Sequence, residues 1–225
     1  GKPNGIWNSP PEQLREQIIK LHSKGIHLHI HVNGDEASEA GLDALEEAMQ
    51  LHPRSDTRHV LQHCQMADES QFRRMARLGV CVNLFANHLW YFGDQHYELT
   101  IGPDKANRMN ACRAALDNGV PLAIHSDAPV TPMGPLHVAW CAVNRVTPSG
   151  RVLGENQKIS VEEALFALTT GAAFTLKLDH EIGSIEVGKK ADFAVLEQDP
   201  LNVKPDALRD IKVLGTVMGG RHFVN

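Results

Sequence analysis

Three short apolar runs in this chain each end in a residue able to bind a metal, and each is followed at once by a loop. Gly-Ile-His-Leu-His-Ile-His ends at His31 before Val-Asn-Gly-Asp, His-Val-Leu-Gln-His ends at His63 before Cys-Gln-Met, and Val-Pro-Leu-Ala-Ile-His-Ser-Asp ends at Asp127 before Ala-Pro-Val. Runs this short and rich in Val, Ile and Leu read as buried strands. Helix-period segments lie between them, and strand–helix alternation implies a parallel sheet. In a parallel α/β barrel the loops after the strands converge on one face, where the chemistry collects. Two imidazoles and a carboxylate meeting on such a face suit a divalent metal.

The pattern predicts strands over 26–32, 58–63, 80–84 and 120–126. Ser9 and Glu12 spell a capping box, with Pro10 at the first helical position and Gly25 stopping the helix. Further helices are expected over 36–51, 68–78 (stopped by Gly79), 104–117 and 136–144, and over 160–170 behind a second capping box, Ser160 and Glu163, with another turn after Gly171. Residues 85–103 read as a long loop carrying Asn87, His88, Trp90, Tyr91, Phe92, Asp94 and His96. After about residue 180 the pattern changes to short strands and turns. The expected organisation is therefore an α/β part over 1–180 and a small β part over 181–225. Four β/α units cannot close an eight-stranded barrel, which takes about 250 residues. The expectation is half of such a barrel, with further sequence upstream of Gly1.

Net charge is −5 with no basic run, which points away from nucleic acid and towards a small-molecule substrate. No apolar stretch approaches the ~18 residues that a membrane span needs. The polar, Pro-rich start is no signal peptide, so a cytoplasmic location is expected. An unpaired sheet edge favours association, as a homo-oligomer or with a missing N-terminal half. Cys64, Cys81, Cys112 and Cys141 are far apart and form no CxxC pair; they read as reduced structural thiols.

The ordered motifs HVNGDEA, LQHCQM, HSDAPVTPMGPL and GSIEVGKKADFAVLEQDPL resemble the amidohydrolase superfamily, and more narrowly its YtcJ-like metal-dependent hydrolases, amidohydrolase family 3. NHLWYFGDQH is similar to a subgroup of that family. The resemblance implies a TIM barrel with a small β-sandwich built from both chain ends, and hydrolysis of amide or related carbon–nitrogen bonds with zinc or a similar divalent metal, one or two ions. This chain then corresponds to barrel strands five to eight plus the C-terminal part of the sandwich. His31 matches the ligand after strand five and His63 the histidine after strand six. Asp127 matches the strand-eight aspartate, which binds metal or serves as general base. The family's His-x-His pair after strand one is absent. His29 and His31 spell His-x-His, but the following NGDEA identifies them with strand five.

Zinc lowers the pKa of bound water towards about 7. Asp127 would take a proton from that water and deliver one to the leaving nitrogen, with His63 as ligand or as a contact to water or substrate. His27 and His29 share a face with His31 and read as satisfied interior histidines. His125, two residues before Asp127, faces the same way and reads as a substrate contact or as support for a ligand. His88 and His96 line a substrate pocket or simply pack their loop. Asp35 orients a ligand or caps a helix. His22, His52, His59, His137, His180 and His222 read as surface or structural residues, and Lys189-Lys190 as a solvated turn. The rival to an enzyme is a non-catalytic module that associates with a missing half or with itself.

Overall fold

The computed structural model describes residues 5–224; the first four residues of the polar start lie outside it. Helix α1 (Pro11–Ser23) leads into strand β1 (His29–Val32), and helix α2 (Asp35–Leu51) into β2 (Val60–His63). Helix α3 (Glu69–Leu78) precedes β3 (Cys81–Leu84), and β4 (Leu122–Ile124) completes a parallel sheet of order β1-β2-β3-β4. In β1 the period-two alternation sorts the side chains. Leu28, Ile30 and Val32 are buried under the helices, while His29 and His31 face the opposite, concave side. Helix α2 lies close on the sheet because its inner face is small: Gly41 sits over Leu61 and Val32, and Ala44 and Ala48 are fully buried.

The helix ends follow their local chemistry in part. Asp68 and Gln71 form a capping box on α3, and Gly79 closes that helix in the left-handed region. Ser160 and Glu163 do the same for α8 (Val161–Leu168). The expected Ser9–Glu12 box does not form. Pro10 occupies the cap position of α1, and no side chain accepts from the first turn there; Pro11 in the first turn has no N–H to cap.

Two other expectations are corrected. Residues 85–103 are not an open loop: they form α4 (His88–Gln95) and a π-helical turn (His96–Thr100) running into α5 (Gly102–Arg108). The single helix expected over 104–117 is broken between α5 and α6 (Cys112–Asp117), where Met109 is extended and Asn110 adopts φ +50°. The carbonyls freed by this break accept from the fully buried Arg145 guanidinium, at 2.8 Å for Met109 and 2.9 Å for Asn110.

Helix α7 (Pro135–Asn144) packs beside α8, and α9 (Thr170–Thr175) lies against β4. The tail forms an antiparallel sheet, β5 (Phe193–Leu196), β6 (Val213–Met218) and β7 (Arg221–Val224). Gly219 and Gly220, both at positive φ, make the two-residue hairpin between β6 and β7. A 3-10 turn (Pro205–Asp210) ties the tail to α7, with Trp140 Nε1 donating to the Asp206 carbonyl at 2.8 Å. All four cysteines are free and buried. Among the described residues no helix is long and apolar enough to cross a membrane.

Candidate metal centre

The concave face of the sheet carries polar side chains in two rows. In the lower row, Asn83 Nδ2 donates to Gln62 Oε1 at 2.8 Å, and the Gln62 amide meets His29 Nδ1 at 2.6 Å. His27 Nε2 meets the Arg58 carbonyl at 2.7 Å. These partners hold His27 and His29 in place below the strand ends.

The upper row lies at the C-terminal ends of the strands. His63 and Asp127 both adopt positive φ, 69° and 55°, and Cys64 follows His63 at 42°. Left-handed backbone at three non-glycine residues is costly, and such conformations concentrate where side chains must be aimed. The surroundings hold them there. The Cys64 amide donates to Val32 at 2.9 Å, and Cys64 is fully buried. The Val130 amide donates to the Asp127 carbonyl at 2.7 Å. Thr131 donates to the Ser126 carbonyl and accepts from Asn87. The chain is thus turned at both strand ends, and one ligand atom each from His63, His125 and Asp127 lies within 4.8 Å of the others. His31 is exposed beside this group, its ring centroid 4.5 Å from that of His63.

His125 is built to offer a nitrogen. The Asn83 backbone lies beside its ring, and its Nε2 is buried without a hydrogen-bond partner. Burial, with His63 nearby, pushes His125 down to about 4, against the opposing pull of Asp127 and the Asn83 backbone. Burial also lowers His63, helped by His31 and opposed by Asp127. Both imidazoles are therefore neutral at neutral pH, the form that ligates metal. Two neutral imidazoles and a carboxylate, one imidazole having an orphaned nitrogen, fit a divalent ion such as zinc.

Of the three strand-end residues expected to share the metal, the structure brings His63 and Asp127 together but leaves His31 outside the group, and it adds His125, whose place on the face of Asp127 was the one signal for it. His88 and His96 sit over this face. Their Nε2 atoms are 2.9 Å apart, and His96 Nδ1 meets Thr100 Oγ1 at 2.7 Å. Phe85 links the two groups, its ring 5.2 Å from His125 and 4.8 Å from His88. Asp35 does not reach the group: it opens α2, with Oδ1 accepting from the Glu36 amide and Oδ2 paired with Lys105. His22 and His59 are a buried structural pair.

A parallel β/α sheet with a His, His, Asp group at its carboxyl ends defines an α/β protein with side chains placed so that they could hold a divalent metal. The chain belongs to the amidohydrolase family, family 3, whose model matches residues 4–224. It is 32% identical over 210 residues to an N-substituted formamide deformylase of Arthrobacter pascens, covering 92% of this chain and 38% of that protein. It is 30% identical to the putative amidohydrolase YtcJ of Bacillus subtilis, covering 97% of this chain and 41% of the relative. An uncharacterized metal-dependent hydrolase of Pyrococcus horikoshii superposes with a TM-score of 0.75 at 25% identity, over 91% of this chain and 40% of that one. The chain therefore spans about 40% of the length of these relatives.

Proposed function

We propose that this chain carries part of the active site of a metal-dependent hydrolase that cleaves a carbon–nitrogen bond in a small molecule, the sheet corresponding to strands five to eight of a TIM barrel. The observation that carries the reading is the convergence of His63, His125 and Asp127 at the strand ends. In this reading the three hold zinc or a similar divalent ion, with His31 beside them. When bound, the metal supplies Lewis acidity to the substrate carbonyl and to the attacking water. The Asp127 carboxylate accepts a proton from that water and returns it to the departing nitrogen, so that amide and water become carboxylic acid and amine. Burial of His63 and His125 keeps both from competing for that proton. The relative named as an N-substituted formamide deformylase supports an N-substituted formamide as the substrate class.

Because the reading places only part of the active site on this chain, the test is release of formate from N-benzylformamide by the zinc-loaded protein with the whole barrel. Turnover is expected, with Asp127→Asn lowering it about 10²-fold or more at saturating zinc. Equal turnover by that variant, or none by the zinc-loaded parent, contradicts the reading.

A further inference from the structure

We propose that His88 is a specificity-determining residue that accepts a hydrogen bond, through Nδ1, from an N–H or O–H group of the substrate. The proposal rests on the hydrolase reading above and deepens it. His88 Nδ1 is buried and has no hydrogen-bond partner, and a buried polar atom left unpaired in a native fold calls for an explanation.

The surrounding network assigns its protonation. Gln65 Nε2 lies 3.3 Å from His96 Nε2 and 3.8 Å from the Met109 thioether, which only accepts. With the amide N–H groups pointing this way, His96 Nε2 is an acceptor, and the His88 Nε2–H donates to it at 2.9 Å. His96 Nδ1–H then donates to Thr100 Oγ1. His88 Nδ1 is left unprotonated, an acceptor facing no donor of the protein.

The ring is also held. Residues 88 and 96 are joined across α4, and His96 opens the π-helical turn, a rare geometry frequent at functional sites. Phe85 packs on His88 edge-on at 4.8 Å and Phe92 lies tilted at 4.6 Å. Burial, with His96 and His63 nearby, pushes His88 down to about 3, so it stays a neutral acceptor throughout the working pH range. Phe85 and Phe92 therefore flank the ring that carries Nδ1. The substrate class this favours has a polar N–H or O–H next to an apolar, planar substituent. An acceptor shielded from water discriminates strongly, because an analogue without the donor leaves the nitrogen unpaired.

The experiment uses the whole chain with ¹⁵N-labelled histidine, loaded with zinc and titrated with N-benzylformamide and with N-benzyl-N-methylformamide, which has no N–H. Saturable movement of the His88 Nδ1 resonance is expected, with the N-methyl probe bound about tenfold more weakly. His88→Phe should bind the two probes alike. His88→Asn, which puts an amide oxygen near the place of Nδ1, should restore the preference. If His88→Phe fails to fold, the parent's resonance and its preference between probes still decide. Equal binding of the two probes by the parent, binding that leaves His88 unmoved, or no binding overturns the proposal. A chain that takes up no zinc instead contradicts the hydrolase reading itself.

Discussion

Arg145 is buried without a carboxylate and works as a fixed set of donors. Its three contacts to the Met109, Asn110 and Leu153 carbonyls hold the broken α5–α6 segment against the loop that follows α7. Burial lowers it to about 10, which still leaves it charged at neutral pH. Arg145→Ala should cost about 3 kcal/mol, since it removes a charged donor from several buried carbonyls; a shift of the urea midpoint equivalent to less than 1 kcal/mol would show the carbonyls are served otherwise. The His22–His59 pair is a second device of this kind. The Leu28 amide donates to His59 Nδ1 at 3.1 Å, His59 Nε2 meets His22 Nδ1 at 2.8 Å, and His22 Nε2 meets the His52 carbonyl at 2.9 Å. All four ring nitrogens are satisfied only when both rings are neutral. Burial, aided by His22, pushes His59 from 6.5 down to about 3. Its folded value is depressed, so the unfolded chain binds the extra proton between pH 6.5 and 3. Stability from this group is complete above pH 6.5 and falls as pH drops, by at most about 1.4 kcal/mol per unit. Urea midpoints at pH 7 and pH 5 should show the loss, and His59→Gln should reduce the slope. An unchanged slope would mean other groups carry it.

At the scale of elements, the helix ends and the close approaches do most to fix positions. Asp68→Ala removes the α3 capping box and should cost about 1 kcal/mol by urea denaturation. A Cβ on Gly171 would lie 2.2 Å from the Leu122 carbonyl oxygen. Gly171→Ala should therefore push α9 off β4 and cost about 2 kcal/mol; a neutral effect would mean that the two elements slide apart freely. The four parallel strands were legible because each is a short apolar run bounded by helix-period segments. All four strands are shorter than their predicted ranges, β1 starting at His29, β2 at Val60 and β3 at Cys81 and β4 spanning only Leu122–Ile124, since pairing rather than hydrophobicity sets the ends. The α4 and π-helical segment was not legible: its aromatic residues lie close together without a single apolar stripe, and it is held by contacts from elsewhere, such as Asp94 with Thr147, Ser149 and Arg151. The break at Asn110 was hidden for the same reason, its partner Arg145 being 35 residues away. At the candidate centre, His63 and Asp127 were visible as strand-end residues. The inclusion of His125 depends on positive φ at Asp127 and on an Nε2 buried without a partner, neither of which a residue pattern displays.

On the scale of the molecule, the tail is joined to the β/α part through aromatic rings and one cation. Arg209 lies over Trp140 at 3.9 Å and over Trp90 at 4.7 Å, and Asn144 donates to the Pro205 carbonyl at 2.9 Å. Arg209→Ala should speed hydrogen exchange in β5 and β6 while leaving metal affinity unchanged; an effect on the metal would show that the tail supports the strand ends. The parallel sheet leaves β1 and β4 as its edges, and the concave face between them carries the whole candidate centre. The central claim is that this face binds a metal through His63, His125 and Asp127. It is tested most directly by titrating the metal-stripped chain with zinc in a calorimeter, alongside His125→Ala and an exposed control, His180→Ala. The account predicts about one zinc per chain, binding about tenfold or more weaker in His125→Ala, and no change in the control. Zinc uptake that is absent from the parent, or equal in all three proteins, would contradict it.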